Sequence, residues 1–203
     1  MKSRNLVLIV VVVFILILGG CGCNGYNKLV NLDENVKNKF SNVQSDYQRR
    51  ADLIPNLVST VKGAANFEQT TLTQVIEARA KATSVNIDAN NLTPEKVQQF
   101  QQAQGQLSSS LSKLLVVAEQ YPQLQATQNF RDLQAQLEGT ENRIKVSRND
   151  YNTAVQEYNS SARSFPNNIF AGMFGFKTKT GFTADAGSEK APTVDFNTEN
   201  PKK

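Results

Sequence analysis

Apolar residues at Leu29, Leu32, Val36, Phe40, Val43 and Tyr47 advance by 3 or 4 positions, the period of one buried helix face. The same phase carries on through Ile54, Leu57, Val58 and Val61, although Pro55 stands in the middle of it. Proline in a helix interior removes a backbone hydrogen bond and crowds the carbonyl four residues back, here that of Ala51. A true break would reset the phase, and this one does not. The spacing therefore predicts one long helix over Tyr26–Lys62, kinked at Pro55. The competing arrangement uses Asp52 as a cap and begins a new helix at Pro55. The charged cluster Arg49, Arg50 and Asp52 lies within a turn before the proline, in the run YQRRADLIPNLVSTVKG of Tyr47–Gly63.

Further along, Gly63-Ala64-Ala65-Asn66 reads as a tight corner, with Gly63 ending the first helix and Asn66 capping the second. The second helix carries Leu72, Val75, Ile76 and Arg79 on one face. Val61, Ala65, Glu68, Leu72 and Ile76 also keep the phase, so a fused first and second helix, giving three helices in all, stays open. Ser84–Leu92 is a polar loop. Thr93-Pro94-Glu95 starts the third helix, with proline at the first helical position. Its seam is Val97, Phe100, Gln104, Leu107, Leu111, Leu114 and Ala118, and it stops by Tyr121-Pro122. The fourth seam runs Phe130, Leu133, Leu137, Ile144, Tyr151, Val155, Tyr158 and Phe165, with Glu141 and Arg148 on or beside it.

These elements predict an all-α fold, an antiparallel up-and-down four-helix bundle with helices near 26–63, 66–84, 93–120 and 123–165. An even number of helices returns the end of the fourth to the start of the first. There Asn167–Phe176, NNIFAGMFGF, either packs under the bundle or lies near membrane headgroups. Lys177–Lys203 is rich in Thr, Gly, Asp and Lys and reads as a flexible tail.

The N-terminus is of a different kind. Lys2 and Arg4 precede thirteen unbroken apolar residues, Leu6–Leu18, and then Gly19-Gly20-Cys21. That order matches a bacterial secretory signal, and Leu18-Gly19-Gly20-Cys21 fits the lipoprotein variant, with Cys21 as the lipidation candidate. The rival is an uncleaved transmembrane anchor, since the stretch to Cys23 reaches the lower edge of the roughly 17–25 residues that span a bilayer. Both readings put residues 1–23 at the membrane, residues 24–176 in the bundle and residues 177–203 in the tail. Lys2 and Arg4 favour an internal N-terminus and a bundle outside the cytoplasm.

Composition narrows the chemistry. The net charge of +4 is small and spread out, which speaks against nucleic acid as a partner. The chain has no histidine, so it lacks the commonest general base and zinc ligand. Glu138 and Glu141 share a helix face, but the di-metal pattern they would join requires Glu-x-x-His pairs. No cofactor and no metal site is expected. No nucleophile has an activating partner, and no glycine-rich phosphate loop occurs. Ion pairs that set helix register are the expected use of the buried-face charges.

Tyr26-Asn27-x-Leu29-Val30, then Gln48-Arg49-Arg50-x-Asp52-Leu53-Ile54-Pro55-Asn56-Leu57-Val58, then Val61-Lys62-Gly63, Glu68 and Ala78-Arg79, form the first half of an ordered motif set. Tyr121-Pro122-x-Leu124, Leu137-Glu138-Gly139-Thr140-Glu141-Asn142-x-Ile144, Arg148-x-x-Tyr151-Asn152, Tyr158-Asn159, Phe165-Pro166 and Gly175-Phe176 form the second. Over residues 26–176 the chain resembles the LemA family. The resemblance implies an N-terminal membrane anchor, an antiparallel helical bundle and no established enzymatic activity. It marks Arg49, Arg50, Asp52, Pro55, Asn56, Glu68, Arg79, Glu141, Arg148, Tyr151 and Asn152 as structural motif residues. Members are associated with bacterial envelopes, with membrane peptidase neighbours and, in one lineage, with magnetosome membranes. Phe67 stands where relatives often carry histidine, so any titrating role of that histidine is absent here. The expectation is a non-enzymatic scaffold or interaction protein of the bacterial cell membrane, with an adaptor or regulator of a membrane-associated protease as the alternative. Expected partners are the membrane, other envelope proteins including a membrane peptidase, and a second copy of the chain.

Overall fold

In the computed structural model, which describes residues 24–63 and 67–183, α1 (Lys2–Lys62) runs through Pro55 without a break. A helix-interior proline costs about 3 kcal/mol. Burying each Leu, Ile or Val side chain contributes roughly 1.5–3 kcal/mol. Ile54, Leu57 and Val61 flank the proline and are fully buried, so the seam outweighs the proline. Pro55 itself faces solvent.

The remaining elements are α2 (Gln69–Ser84), α3 (Pro94–Ala118), α4 (Pro122–Gln125), α5 (Gln128–Arg163) and α6 (Asn167–Phe174). Among the described residues there is no strand. α3 begins as the sequence indicates: Thr93 accepts from the Lys96 amide, and Pro94 occupies the first turn. α1 and α2 are separate, and Arg79 of α2 reaches back to the Ala51 carbonyl of α1 at 2.8 Å. Ile76, expected on the buried face of α2, is exposed.

The most extensive pairings are α1 with α5 and α2 with α3. Phe40 lies against Tyr151, ring centroids 5.5 Å apart, and Arg50 pairs with Glu141, so numbering rises along α1 as it falls along α5. Gln104 reaches the Ala82 carbonyl at 3.4 Å, while Phe67 before α2 meets Tyr121 after α3 at 5.0 Å, the same opposition of direction.

The core divides into two clusters. The first includes Ile54, Leu57, Val61, Leu72, Leu107, Leu114 and Leu137, from all four long helices. The second includes Leu29, Val36, Phe40, Tyr47, Phe100, Ile144, Tyr151 and Tyr158. α2 contributes no buried residue to it. Its place is taken by Ile87 of the loop, Ala171 of α6 and Phe182 of the following segment.

Phe165, expected at the end of the fourth seam, lies beyond α5 and is 81% exposed. Two larger expectations are also corrected. The fourth helix is not continuous from 123: α4 ends at Gln125 and α5 begins at Gln128. Thr127 Oγ1 donates to the Leu124 carbonyl at 2.7 Å, and Arg131 Nη1 donates to the carbonyls of Gln125 and Ala126. These side chains replace the backbone donors that a continuous helix would supply. The second correction concerns the tail. Residues 177–183 lie extended along α5, with Phe182 buried at 6% exposure. Its ring fits the gap among Phe40, Phe100 and Tyr151 that the shorter α2 and α3 leave. A buried phenylalanine and a row of backbone hydrogen bonds outweigh the polar composition around it. Residues 184–203, the predicted cap Asn66, the anchor segment 1–23 and Cys21 lie outside the described residues. Among the described residues no helix is long and apolar enough to cross a membrane.

α6 packs across α1 at Gly25. A Cβ on Gly25 would come within 2.8 Å of Asn167 Oδ1 and 3.3 Å of the Phe170 ring, so glycine there permits the close approach. α6 ends at Gly175, whose φ of 75° is the left-handed conformation that glycine adopts without strain. Phe170 is half-buried and Ala171 buried, while Ile169, Met173 and Phe174 face outward.

Candidate functional site

The motif residues gather in three places along α1 and α5. The first is a polar layer between the two core clusters. The steps from Tyr47 to Arg50 and from Arg50 to Ile54 are 3 and 4, so Arg50 falls on the apolar seam and Arg49 beside it does not. Accordingly Arg50 is 1% exposed and Arg49 is exposed. Arg50 Nη1 donates to Ser108 Oγ at 2.7 Å and to Glu141 Oε1; Nη2 donates to Gln104 Oε1 at 2.9 Å and to the Gln104 carbonyl. Its guanidinium lies over the Tyr47 ring, 4.9 Å from the centroid. A single α1 side chain thereby holds α3 and α5 at one register. The register signal was present in the spacing, but the partners Gln104 and Ser108 were not legible as ligands of an arginine.

The second place is the proline. Pro55 has no N–H to donate to the Ala51 carbonyl, and that carbonyl is the acceptor for Arg79 Nε at 2.8 Å. The two motif residues thus form one device. The orphan acceptor made by Pro55 becomes the docking point for α2. Of the other motif residues nearby, Asp52 is exposed and accepts from Gln48 at 2.7 Å. The Asn56 carbonyl accepts from Thr60 at 2.9 Å, and exposed Glu68 precedes α2 and accepts from Thr71 at 3.0 Å. Gln44, Gln48, Arg49, Asp52, Thr83 and Asn86 line an open groove of about 810 Å³ beside this link.

The third place is the strap of residues 177–183. Tyr151-Asn152 and Tyr158-Asn159 are seven residues apart, two turns, and so share one face of α5. Asn159 donates to the Lys179 carbonyl and accepts from the Lys179 amide, both at 2.8 Å. Asn152 treats Phe182 in the same way, at 3.0 and 2.8 Å. Gln101 of α3 does so for Thr183, at 2.8 and 3.3 Å. Each side-chain amide pairs with a peptide unit as a neighbouring strand would. The Tyr158 and Tyr151 hydroxyls donate to the carbonyls of Lys177 and Thr180, each at 2.9 Å. Arg148 donates to the Thr183 carbonyl at 2.9 Å and covers the Phe182 ring at 5.2 Å. A Cβ on Gly181 would stand 2.7 Å from Asn152 Oδ1, so glycine there leaves room for the Asn152 amide. Sequence reasoning placed Arg148, Tyr151 and Asn152 among the structural motif residues and quoted Tyr158-Asn159 in the motif set without a role, and it left out Gln101 and the strap itself. The repeat of Tyr-Asn after seven residues is the signal that could have joined Asn159 to Asn152.

Electrostatics follow this packing. Burial pushes the Tyr151 phenol up to about 12, and burial with the Asp33 charge does the same for Tyr158. Lys179 of the strap bonds Asp33 of α1 at 2.6 Å, and Lys37 bonds it at 2.9 Å. Burial pushes the Asp33 carboxyl up, but the hydrogen bonds and charges of these lysines outweigh it and hold the group below its ordinary value. Among the described residues no group of three His, Cys, Asp or Glu side chains is placed to hold a metal ion.

Known proteins bear on this arrangement. The "Magnetosome protein MamQ 2" of Paramagnetospirillum magneticum is 27% identical over 173 residues, covering 75% of this chain and 62% of that protein. "Protein LemA" of Metamycoplasma hominis is 26% identical over 145 residues, covering 71% of this chain and 63% of that protein. The chain thus matches less than two thirds of the length of these curated relatives. The model of the LemA family matches residues 39–196, a span that takes in the Arg50 layer, the Pro55–Arg79 link and the strap. The chain belongs to the LemA family.

Proposed function

We propose that this chain is a non-enzymatic scaffold or interaction protein of the bacterial cell envelope, anchored through its N-terminal apolar segment. In this reading α1, α2, α3 and α5 form an up-and-down antiparallel four-helix bundle held outside the cytoplasm, presenting polar helix faces to other proteins. One observation carries it. The motif residues on the buried faces are engaged in holding the bundle: Arg50 on α3 and α5, Arg79 on the Ala51 carbonyl, and Arg148, Tyr151 and Asn152 on the strap, while Arg49, Asp52 and Glu68 face solvent. The family membership and the membrane-associated character of its members support the placement at an envelope membrane.

Photo-crosslinking groups at exposed Gln48, Glu138 and Lys145 of the full chain, followed by purification from membranes, test the reading. Repeated recovery of defined envelope proteins supports the scaffold. A membrane peptidase as the main product moves the assignment to a protease adaptor. Products made only of this chain move it to a homo-oligomer. Turnover of any substrate that disappears on Glu141→Gln or Arg148→Met overturns the non-enzymatic reading.

A further inference from the structure

The exposed apolar side chains of this protein are unevenly placed. Ile76, Val116 and Val146 stand singly on α2, α3 and α5, which is ordinary for a protein surface. At the end of the molecule where α6 crosses α1, five occur together: Tyr26, Phe165, Ile169, Met173 and Phe174. Phe165, Ile169 and Met173 are four residues apart in sequence, and Met173 and Phe165 are 72% and 81% exposed. The Tyr26 ring sits edge-on to Phe174 and Phe176 at 4.9 and 5.6 Å, which joins the α1 and α6 parts of the patch. The opposite side of α6 is already used, with Ala171 buried and Phe170 against Gly25. Ile169 and Met173 take no part in those contacts, whereas Phe174 has its ring edge against Tyr26 of α1.

Charge flanking the patch is mainly basic, and Asp33, next to it, is held by Lys179 and Lys37. Residues 24–32 and 158–183 contain Lys28, Arg163, Lys177 and Lys179 and no Asp or Glu. Lys179 bonds Asp33, while Lys28, Arg163 and Lys177 are exposed. An apolar face with an aromatic rim and exposed basic neighbours is the composition of a helix that lies in a membrane interface. The apolar run Leu6–Leu18 ends seven residues before Gly25, the point that α6 touches.

We infer that α6 is a second membrane contact: its Ile169–Met173–Phe174 face enters the headgroup layer of an anionic bilayer, with Lys28, Arg163 and Lys177 over the phosphates. The inference rests on the proposed N-terminal anchoring and adds to it that the bundle stands on the bilayer surface rather than on a free stalk. The partner is a lipid surface, because the patch adjoins the anchor segment and its flanking charges complement phosphate.

The chain has no tryptophan, so one introduced residue is the sole indole emitter. Full-length Ile169→Trp, Met173→Trp and Val116→Trp chains would be reconstituted in phosphatidylglycerol-containing vesicles with and without brominated acyl chains. The α6 variants should show blue-shifted emission that brominated lipid quenches, and Val116→Trp should show neither. Quenching should weaken in purely zwitterionic vesicles. Equal, unquenched emission from all three chains in vesicles that carry the protein overturns the inference and leaves the anchor reading intact. Blue-shifted but unquenched α6 emission overturns it in favour of a second copy covering the face. If the parent chain does not float with vesicles, the anchor reading fails and the inference falls with it.

Discussion

Phe182→Ala isolates what the strap contributes. Phe182 is buried at 6% exposure, with ring centroids 5.3 Å from Tyr151 and 6.4 Å from Phe40 and Phe100. Truncating a buried phenylalanine costs about 3–5 kcal/mol where the surroundings cannot yield. The strap, however, follows α6 and can leave without unfolding α1 or α5. The loss therefore falls on local opening, up to the full docking free energy of the strap. Taking about 3 kcal/mol, and a tenfold change per 1.4 kcal/mol, exchange of the affected amides accelerates by roughly 100-fold.

Native-state hydrogen exchange on the full chain reads this directly. The reporters are the amides of Phe182 and Thr183, which donate to Asn152 Oδ1 and Gln101 Oε1. The Lys179 amide, held by Asn159, marks the other end of the strap. Helix amides around Leu57 and Leu107, in the other core cluster, should keep their rates. Asn152→Ala removes two hydrogen bonds at about 1 kcal/mol each and should repeat the effect at Phe182 more strongly than at Lys179. Unchanged Phe182 and Thr183 rates in Phe182→Ala refute the docking argument. Equal acceleration at Leu57 refutes the claim that the strap opens as a separate unit.

Arg50→Met should lower unfolding free energy in urea by about 3 kcal/mol, because it strips donors from the buried Gln104 carbonyl and side-chain oxygen. Glu141→Gln should cost under about 1 kcal/mol, since Glu141 is 48% exposed and water replaces its partner. Arg79→Met should cost about 1–3 kcal/mol by leaving the Ala51 carbonyl unpaired. In a Pro55→Ala background the residue 55 amide regains that acceptor and the same change should cost less; strictly additive costs in the double-mutant cycle reject the link. Burial raises Tyr151 from its ordinary value near 10 to about 12, so between these values the unfolded chain loses a proton that the folded chain keeps. Its contribution is therefore whole below about pH 10 and declines as pH rises through 12, by up to about 3 kcal/mol. Tyr151→Phe should flatten that part of the stability profile in urea melts from pH 9 to 12, and an unaltered decline counts against the assignment.

Helix existence was legible because the apolar period is long and local. Thr93-Pro94 marked the start of α3 correctly for the same reason: a cap is a contact between near neighbours. Three features escaped a local reading. The break at Ala126–Thr127 depends on Arg131 folding back onto two carbonyls, a contact no periodicity encodes. Ile76 keeps the phase of its helix yet faces water, since α2 is shielded only where α1 and α3 reach it. The strap looked disordered because lysine and threonine dominate it and no apolar period runs through it. Its order comes from amide groups on α5 and α3, up to 82 residues away in the case of Gln101.

The polar motif residues show the same division more sharply. Arg49, Arg50 and Asp52 form one charged cluster in sequence, and only the register separates them: Arg50 is on the seam, and the other two face outward. A reading by residue type treats the three alike, whereas a reading by phase would have singled out Arg50. Phase alone could not supply its acceptors, because Glu141 is 91 residues distant and Gln104 is 54. Pro55 reverses the usual inference about prolines in helices. Its local effect is a defect, an acceptor without a donor, and by itself it argues for a break. Arg79 satisfies that acceptor from another helix, so the defect becomes the point that sets where α2 docks. The unbroken apolar phase across Pro55 and the arginine on the second helix are therefore two signs of one arrangement. The Tyr47–Gly63 segment is best understood as the rail on which α2, α3 and α5 take their register.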